Sequence, residues 1–109
     1  MFYTFRQNNS GGHFHFDEES GITHYTIIEA NDEWQCREIA ENIGIYFDGY
    51  SIGMDCSCCG DRWRFPYDEP SENPEFYGEI VKKDGDYGSW MEQGKNVCVH
   101  YLDGRKEWF

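Results

Sequence analysis

Long apolar runs are missing from the chain, and so are most of the aliphatic residues that usually build a protein core. Among 109 residues there are one leucine and two alanines, and Leu, Ile, Val and Phe together supply 20 residues. No stretch approaches the roughly 20 apolar residues that a membrane-spanning helix needs. The first residues also lack the apolar run of a secretory signal peptide. We therefore expect a soluble protein that stays in the compartment where it is made.

Basic residues are scarce as well. Lys and Arg number 9 against 21 Asp and Glu, which gives a formal net charge of −12. Nucleic acids and anionic membranes are negatively charged and are bound by clustered Lys and Arg. The composition therefore argues against direct binding to either one and favours a partner with a basic surface. Acidity that only keeps a small protein dispersed in solution is the alternative explanation.

Aromatic residues compensate for the shortage of aliphatic ones. A low aliphatic content with a high net charge is typical of disorder, but Phe, Tyr and Trp make up 18% of this chain. Each of these side chains buries roughly 150–250 Å² in a folded protein. The chain is therefore expected to fold around an aromatic core. Since no repeat or long linker divides it, residues 1–109 are expected to form a single domain.

The pattern along the chain predicts one principal helix. Asn31 is a good N-cap, four apolar residues recur at helical spacing after it, and Gly44 suits the position that ends a helix. The apolar stripe comprises Cys36, Ile39, Ala40 and Ile43. Because these residues share one face, the helix is expected to pack with that face against a sheet.

Strands are predicted on both sides of the helix. The patterns indicate strands over residues 1–6, 13–17, 22–29, 45–47, 62–67, 76–82, 96–102 and 105–109. The first two are expected to form a hairpin, and Asp103-Gly104 is expected to be a two-residue hairpin turn. The predicted fold class is α+β, a mainly antiparallel sheet with one principal helix packed on one face.

Five cysteines are present, an odd number that leaves one unpaired in any scheme made only of disulfides. Cys58 and Cys59 are neighbours in sequence, and a bridge between them would be strained. We therefore expect reduced thiols in a cytosolic compartment, where clustered cysteines indicate metal or redox chemistry more than structural bridges. Cys36 lies on the apolar stripe of the helix and is expected to be a core residue.

One cluster has the spacing of metal ligands. Cys56 and Cys59 form C-x-x-C followed by glycine, which brings two thiolates to one tetrahedral zinc ion. Cys98 and His100 lie two apart on a predicted strand and point to the same face, so they offer a second pair. The residues favour a zinc site made of Cys56, Cys59, Cys98 and His100. The alternative is a set of reduced thiols that binds no metal.

A binding surface is predicted around residues 61–64 (DRWR), because Arg and Trp are enriched among the residues that dominate protein interfaces. Acidic residues in predicted loops would extend this surface and present spaced negative charges to a basic groove on a partner. The predicted partner-binding residues are Asp61, Arg62, Trp63, Glu69, Glu72 and Glu75. The alternative is that Trp63 is a core residue and that the arginines pair with nearby carboxylates.

Sequence signatures of catalysis are missing. The chain has no nucleophile elbow, no glycine loop of the kind that cradles phosphate and no H-E-x-x-H motif. We therefore expect a protein that is not an enzyme. Two alternatives stay open: a metal-dependent enzyme built on the cysteine cluster, and a minor component of a virus particle.

Three segments carry a resemblance to known proteins: the opening residues 2–12 (FYTFRQNNSGG), residues 45–49 (IYFDG) and residues 55–63 (DCSCCGDRW), the last with a C-x-C-C-G-D-R-W signature. They resemble a family of small uncharacterised acidic bacteriophage proteins. The resemblance extends to a strand followed by a helix over residues 27–43 and to residues 76–78 (FYG). Family members often have proline where this chain has Ser57, a change that should not disturb metal binding.

The resemblance implies a phage origin and action in the host cytoplasm. It implies no catalytic residue, since the family carries no established activity. Together with the composition, it predicts a non-enzymatic accessory protein that binds and modulates a host protein. That role would fall during host takeover or against a host defence system.

Overall fold

The computed structural model describes residues 1–7, 17, 19–47, 62–63, 70–76, 79–81 and 97–109. Within these residues there are six strands and one α-helix. In chain order they are β1 (Phe2–Arg6), β2 (Tyr25–Glu29), α1 (Glu33–Ile43), β3 (Glu75–Phe76), β4 (Glu79–Ile80), β5 (Val97–His100) and β6 (Lys106–Trp108).

A four-stranded sheet with the order β1-β2-β5-β6 forms the centre of the described structure. Strands β1 and β2 pair antiparallel, as do β5 and β6, whereas β2 and β5 pair parallel. The prediction of an α+β fold with one helix on a mainly antiparallel sheet is confirmed. The parallel pair at the centre was not predicted. Strands β3 and β4 form a separate antiparallel pair.

The helix begins and ends through side-chain and backbone caps. Asp32 is the N-cap, since its carboxylate accepts a hydrogen bond of 2.8 Å from the Gln35 backbone N–H. The prediction of Asn31 was therefore one residue early; the Asn31 N–H instead donates to the Gln35 side chain at 2.6 Å. Gly44 ends the helix with a φ of 110°, as predicted.

The side chains of strand β2 alternate between the two faces of the sheet. Both faces are covered by other parts of the chain, so the strand is buried on both sides. Ile28 points to the face that α1 covers, and Ile27 points to the opposite face. The core under the helix contains Tyr3, Phe5, Ile22, Ile28, Ala30, Cys36, Ala40, Ile45 and Trp63. The core on the opposite face contains Phe2, Tyr25, Ile27, Val81, Val97, Val99 and Phe109. The predicted aromatic contribution to the core is thus confirmed on both faces.

Several predicted strand boundaries were wrong. Residues 45–47 are not a strand: the Ile45 N–H bonds back to the Ala40 carbonyl at the end of α1. Strand β1 pairs with β2, and of the predicted strand at 13–17 only Asp17 lies within the described residues, where it bridges to Ile22. The predicted strand at 62–67 is not seen at Arg62 and Trp63, its only described residues.

The turn between β5 and β6 is one residue longer than predicted. The Tyr101 N–H donates to the Arg105 carbonyl at 2.8 Å, which leaves residues 102–104 as a three-residue loop. Gly104 adopts a φ of 93° at the last position of this loop. That is the left-handed conformation that three-residue hairpin loops require.

Candidate functional site

Strand β5 brings two predicted zinc ligands together. Cys98 and His100 are buried on the face of the sheet that α1 covers, opposite Thr26 and Ile28 of β2. The Cys98 Sγ and His100 Nε2 atoms are 3.7 Å apart. The prediction that the two side chains share a face is therefore confirmed.

The imidazole of His100 also contacts the chain before β2. Its Nε2 lies 2.8 Å from the Gly21 carbonyl oxygen. Because a carbonyl oxygen only accepts, Nε2 carries the hydrogen in this contact. Burial lowers the pKa of His100; the bond to Gly21 acts in the opposite direction, and the charge of Lys106 adds to the lowering. Burial therefore favours the neutral imidazole, with the hydrogen on Nε2 directed at the Gly21 carbonyl oxygen.

Gly21 is held tightly against these two side chains. It adopts a φ of 78°, and a Cβ atom at this position would lie 2.7 Å from His100 Cε1 and 3.1 Å from Cys98 Sγ. The glycine is thus required both by its backbone conformation and by the space available. We call Gly21, Cys98 and His100 the buried cluster.

The buried cluster fits half of a tetrahedral metal site in spacing. Two ligands held at the usual Zn–S and Zn–N distances are roughly 3.6 Å apart, close to the 3.7 Å between Cys98 Sγ and His100 Nε2. Coordination through Nε2 would require His100 to release the Gly21 carbonyl. Cys56 and Cys59 lie outside the described residues. Within those that are described, no group of three or more metal-binding side chains occurs.

The predicted partner-binding residues occupy different environments. Trp63 is 1% exposed and packs in the core under the helix, and Arg62 is 8% exposed. Both side chains are therefore buried, which agrees with the alternative that Trp63 is a core residue. Glu72 is exposed and Glu75 is half-buried in β3. Asp61 and Glu69 lie outside the described residues.

Arg62 belongs to a buried network of hydrogen-bonded side chains. Its Nη1 donates to the Gln7 side-chain oxygen at 3.2 Å, and the Gln7 amide donates to the Thr23 carbonyl at 2.8 Å. These bonds join the end of β1 to the segment before β2. Arg62 therefore has a structural explanation that needs no partner.

Cys36 behaves as predicted. Its side chain is fully buried in the core under the helix, together with Ala40 of the same apolar stripe. Burial raises the pKa of the Cys36 thiol to about 12. The thiolate, which is the reactive form, is therefore suppressed at neutral pH.

Trp34 is an exposed residue that the sequence patterns did not single out. Trp34 in the first turn of α1 is 82% exposed, the largest exposure of any large apolar side chain in the described part of the chain. The helical spacing of the sequence is sufficient to place Trp34 on the outer face of the helix. At about 100° per residue, Trp34 lies roughly 160° around the helix from Cys36, away from the apolar stripe.

Carboxylates surround Trp34 on the outer face of α1. Glu38 and Glu41 follow it at four and seven residues, so the three side chains share one face, and Glu33 precedes it. All three glutamates are exposed. Arg37 also lies on this side, where its Nε is 3.3 Å from a Glu41 carboxylate oxygen. The outer face of α1 is therefore acidic with one large apolar side chain.

Comparison with known proteins identifies the family but no activity. A family model described as a domain of unknown function (DUF7296) matches residues 1–109, so the chain belongs to this family. No curated protein and no solved structure matches the chain. The one helix in the described residues, α1, is not long and apolar enough to span a membrane.

Proposed function

We propose that this member of the DUF7296 family is a non-enzymatic phage accessory protein that binds a host protein with a basic surface. The exposure of Trp34 is the observation that carries the proposal. Tryptophan is enriched among the residues that dominate binding energy at interfaces. A tryptophan that points outward from the face of α1 opposite its apolar stripe contributes little to folding, so binding is the better explanation for it.

The negative charge of the chain favours a partner with a basic surface. The carboxylates beside Trp34 belong to a chain with a formal net charge of −12. A field of this sign accelerates the approach of a positively charged surface and repels nucleic acid and anionic lipid. An apolar anchor within a negative field would give such a partner both affinity and orientation.

The phage and host part of the proposal is supported by the sequence signatures in residues 2–12 and 55–63. A protein made in an infected cell meets host proteins at once, and a small chain acts on them most simply by occupying a surface. Binding during host takeover, or against a defence system, is therefore the role that we propose in the host cytoplasm.

The test is capture of a host protein that depends on Trp34. The chain with a C-terminal tag is incubated with nuclease-treated lysate of a host bacterium, in parallel with Trp34→Ala. We expect one stoichiometric protein on the wild-type chain, at least roughly tenfold less on Trp34→Ala, and loss of capture as salt rises. Equal capture by both chains would remove Trp34 from the function.

A matched pair of charge variants distinguishes two acidic surfaces. One carries Glu38→Lys with Glu41→Lys on α1; the other carries Glu69→Lys with Glu72→Lys in the predicted acidic loop. We expect the helix variant to lose capture and the loop variant to retain most of it. The reverse result would return the binding surface to the loop.

A zinc centre is the second candidate function, favoured by the 3.7 Å between Cys98 Sγ and His100 Nε2. The remaining ligands of this proposal are Cys56 and Cys59. Metal analysis of protein purified without chelator tests it: one zinc per chain is expected, and it should be lost in Cys56→Ser and in Cys98→Ser. A chain without zinc would leave the buried cluster a purely structural feature.

A further inference from the structure

We propose that the interaction surface extends from Trp34 across one end of the sheet, and that it binds a cationic amphipathic helix of the partner protein. This inference rests on the proposed function and specifies its surface and its ligand. The surface consists of three exposed apolar side chains and the carboxylates next to them. Its members are Met1, Trp34, Leu102, Glu29, Asp32, Glu33 and Asp103, and we call it the Trp34 end.

The sheet topology brings these residues to one end. Strands β2 and β5 run parallel, so the segments that follow both of them emerge at the same edge. Helix α1 with Trp34 follows β2, and the hairpin loop with Leu102 follows β5. Strand β1 runs antiparallel to β2 and therefore begins at this end with Met1.

Hydrogen bonds hold the three segments in place. The Met1 amino group donates to the Ala30 carbonyl at 3.0 Å, and the Ala30 N–H donates to the Met1 carbonyl at 2.9 Å. The Leu102 N–H donates to a Glu29 carboxylate oxygen at 2.9 Å. The backbone under the Trp34 end is therefore organised before any partner arrives, which lowers the entropy lost on binding.

Exposure concentrates at this end. Met1 is 45% exposed, Trp34 is 82% exposed and Leu102 is 42% exposed. Among the described residues only one other large apolar side chain is exposed: Ile80 of β4, at 60%. Single exposed apolar residues are ordinary, but several gathered on one side of a small protein indicate an interaction site.

The charges at this end select the ligand. Glu29, Asp32, Glu33 and Asp103 are opposed by the Met1 amino group and by Arg105, whose Nη1 lies 3.6 Å from a Glu107 carboxylate oxygen. The end is therefore negative overall. A second copy of this chain has the same net charge of −12 and is repelled. A helix with leucines on one face and lysines beside them complements both features.

The probe is a fluorescent peptide of about 18 residues, leucine and lysine arranged as an amphipathic helix. Its affinity is measured by anisotropy for the wild-type chain, Trp34→Ala, Leu102→Ser and the control Ile80→Ser. We expect roughly tenfold weaker binding for Trp34→Ala, roughly fivefold for Leu102→Ser and less than twofold for Ile80→Ser. A peptide of the same composition in scrambled order should bind at least roughly tenfold more weakly.

Three results would overturn the inference. Equal effects of Leu102→Ser and Ile80→Ser would show that the surface does not reach the hairpin loop. Equal binding of the scrambled peptide would show attraction to charge alone. A dimer that dissociates on Trp34→Ala, seen by sedimentation, would make a second copy the occupant.

The same variants separate this inference from the proposed function. If lysate capture requires Trp34 but is unchanged by Leu102→Ser, the proposed function stands and the extended surface is wrong. If capture is unchanged by Trp34→Ala, both are wrong. Thermal unfolding of each variant verifies that the fold is retained, as expected for changes at exposed positions.

Discussion

The buried cluster and the Trp34 end are opposites in composition and in environment. The cluster contains a cysteine and a histidine, residue types that suggest chemistry, yet both are buried and His100 donates to the Gly21 carbonyl. The Trp34 end instead combines carboxylates with exposed large apolar side chains, a pairing that suggests binding more than chemistry. The residue types of the buried cluster suggest a functional site, whereas at the Trp34 end the suggestion comes from the exposure of apolar side chains.

Exposure is the more informative property in this chain. A buried polar residue with a hydrogen-bond partner is explained by folding. An exposed tryptophan is not explained by folding, because its transfer from water would be favourable by about 2 kcal/mol or more. If the two regions differ as their environments imply, substitutions in the buried core should cost far more stability than substitutions at the Trp34 end.

The largest expected effect is that of Trp63→Ala. Trp63 is 1% exposed within the core under the helix, so truncation removes many contacts and leaves a cavity. We expect a loss of about 4 kcal/mol in the free energy of unfolding, measured by urea denaturation. A loss below about 1 kcal/mol would contradict the core assignment of Trp63.

Gly21→Ala should destabilise the chain by about 3 kcal/mol, because it adds backbone strain and a clash with His100 and Cys98. Gly104→Ala is the matched control. It also has a positive φ, of 93°, but a Cβ there meets nothing within 4 Å. We expect about 1 kcal/mol for this variant in the same urea experiment. Equal losses would mean that packing around the buried cluster contributes nothing.

A smaller effect is expected from pH. Burial lowers the pKa of His100, so below the ordinary value of about 6.5 the unfolded chain takes up a proton that the folded chain does not. The free energy of unfolding should therefore fall as pH falls below this value, with the contribution complete above it. Burial also lowers the pKa of His24, with Arg6 adding to the shift, so both histidines act in the same direction.

His100→Gln tests this contribution, since its amide can still donate to the Gly21 carbonyl but does not titrate. Urea unfolding between about pH 8 and pH 5 should show a flatter dependence for this variant than for the wild-type chain. His24 should maintain part of the slope. An unchanged slope would show that His100 does not lose its proton preferentially in the folded state.

The smallest expected effect on stability is that of Trp34→Ala. The side chain is 82% exposed, so the free energy of unfolding should change by no more than about 0.5 kcal/mol. Set against Trp63→Ala, this result would confirm that one tryptophan serves folding and the other does not. A large loss of stability would show that Trp34 packs against the chain and would weaken the proposed function.

Local patterns in the sequence were sufficient for α1. The apolar spacing of Cys36 and Ala40 and the glycine at position 44 predicted the element, its buried face and its end. The same period-two reasoning placed Cys98 and His100 on one face of a strand. These features depend on neighbours within a few residues, and such neighbours are visible in the sequence.

Contacts between segments that are distant in sequence could not be predicted from local patterns. Nothing near Gly21 in sequence indicates that His100 and Cys98 will press against it, and the parallel pairing of β2 with β5 joins segments about seventy residues apart. Trp63 illustrates the same limit from the other side. The residue type suggested an interface, and only the packing of β1, β2 and α1 around it made it a core residue.

Four features could be predicted without any tertiary contact: the acidity of the chain, its aromatic core, its one principal helix and the shared face of Cys98 and His100. Each follows from composition or from the short periods of helix and strand. Two features depend on how distant segments pack: the burial of Trp63 in contrast to Trp34, and the position of Met1, Trp34 and Leu102 at one end of the sheet. Burial depends on what the rest of the chain places over a residue, and that is a property of the whole fold.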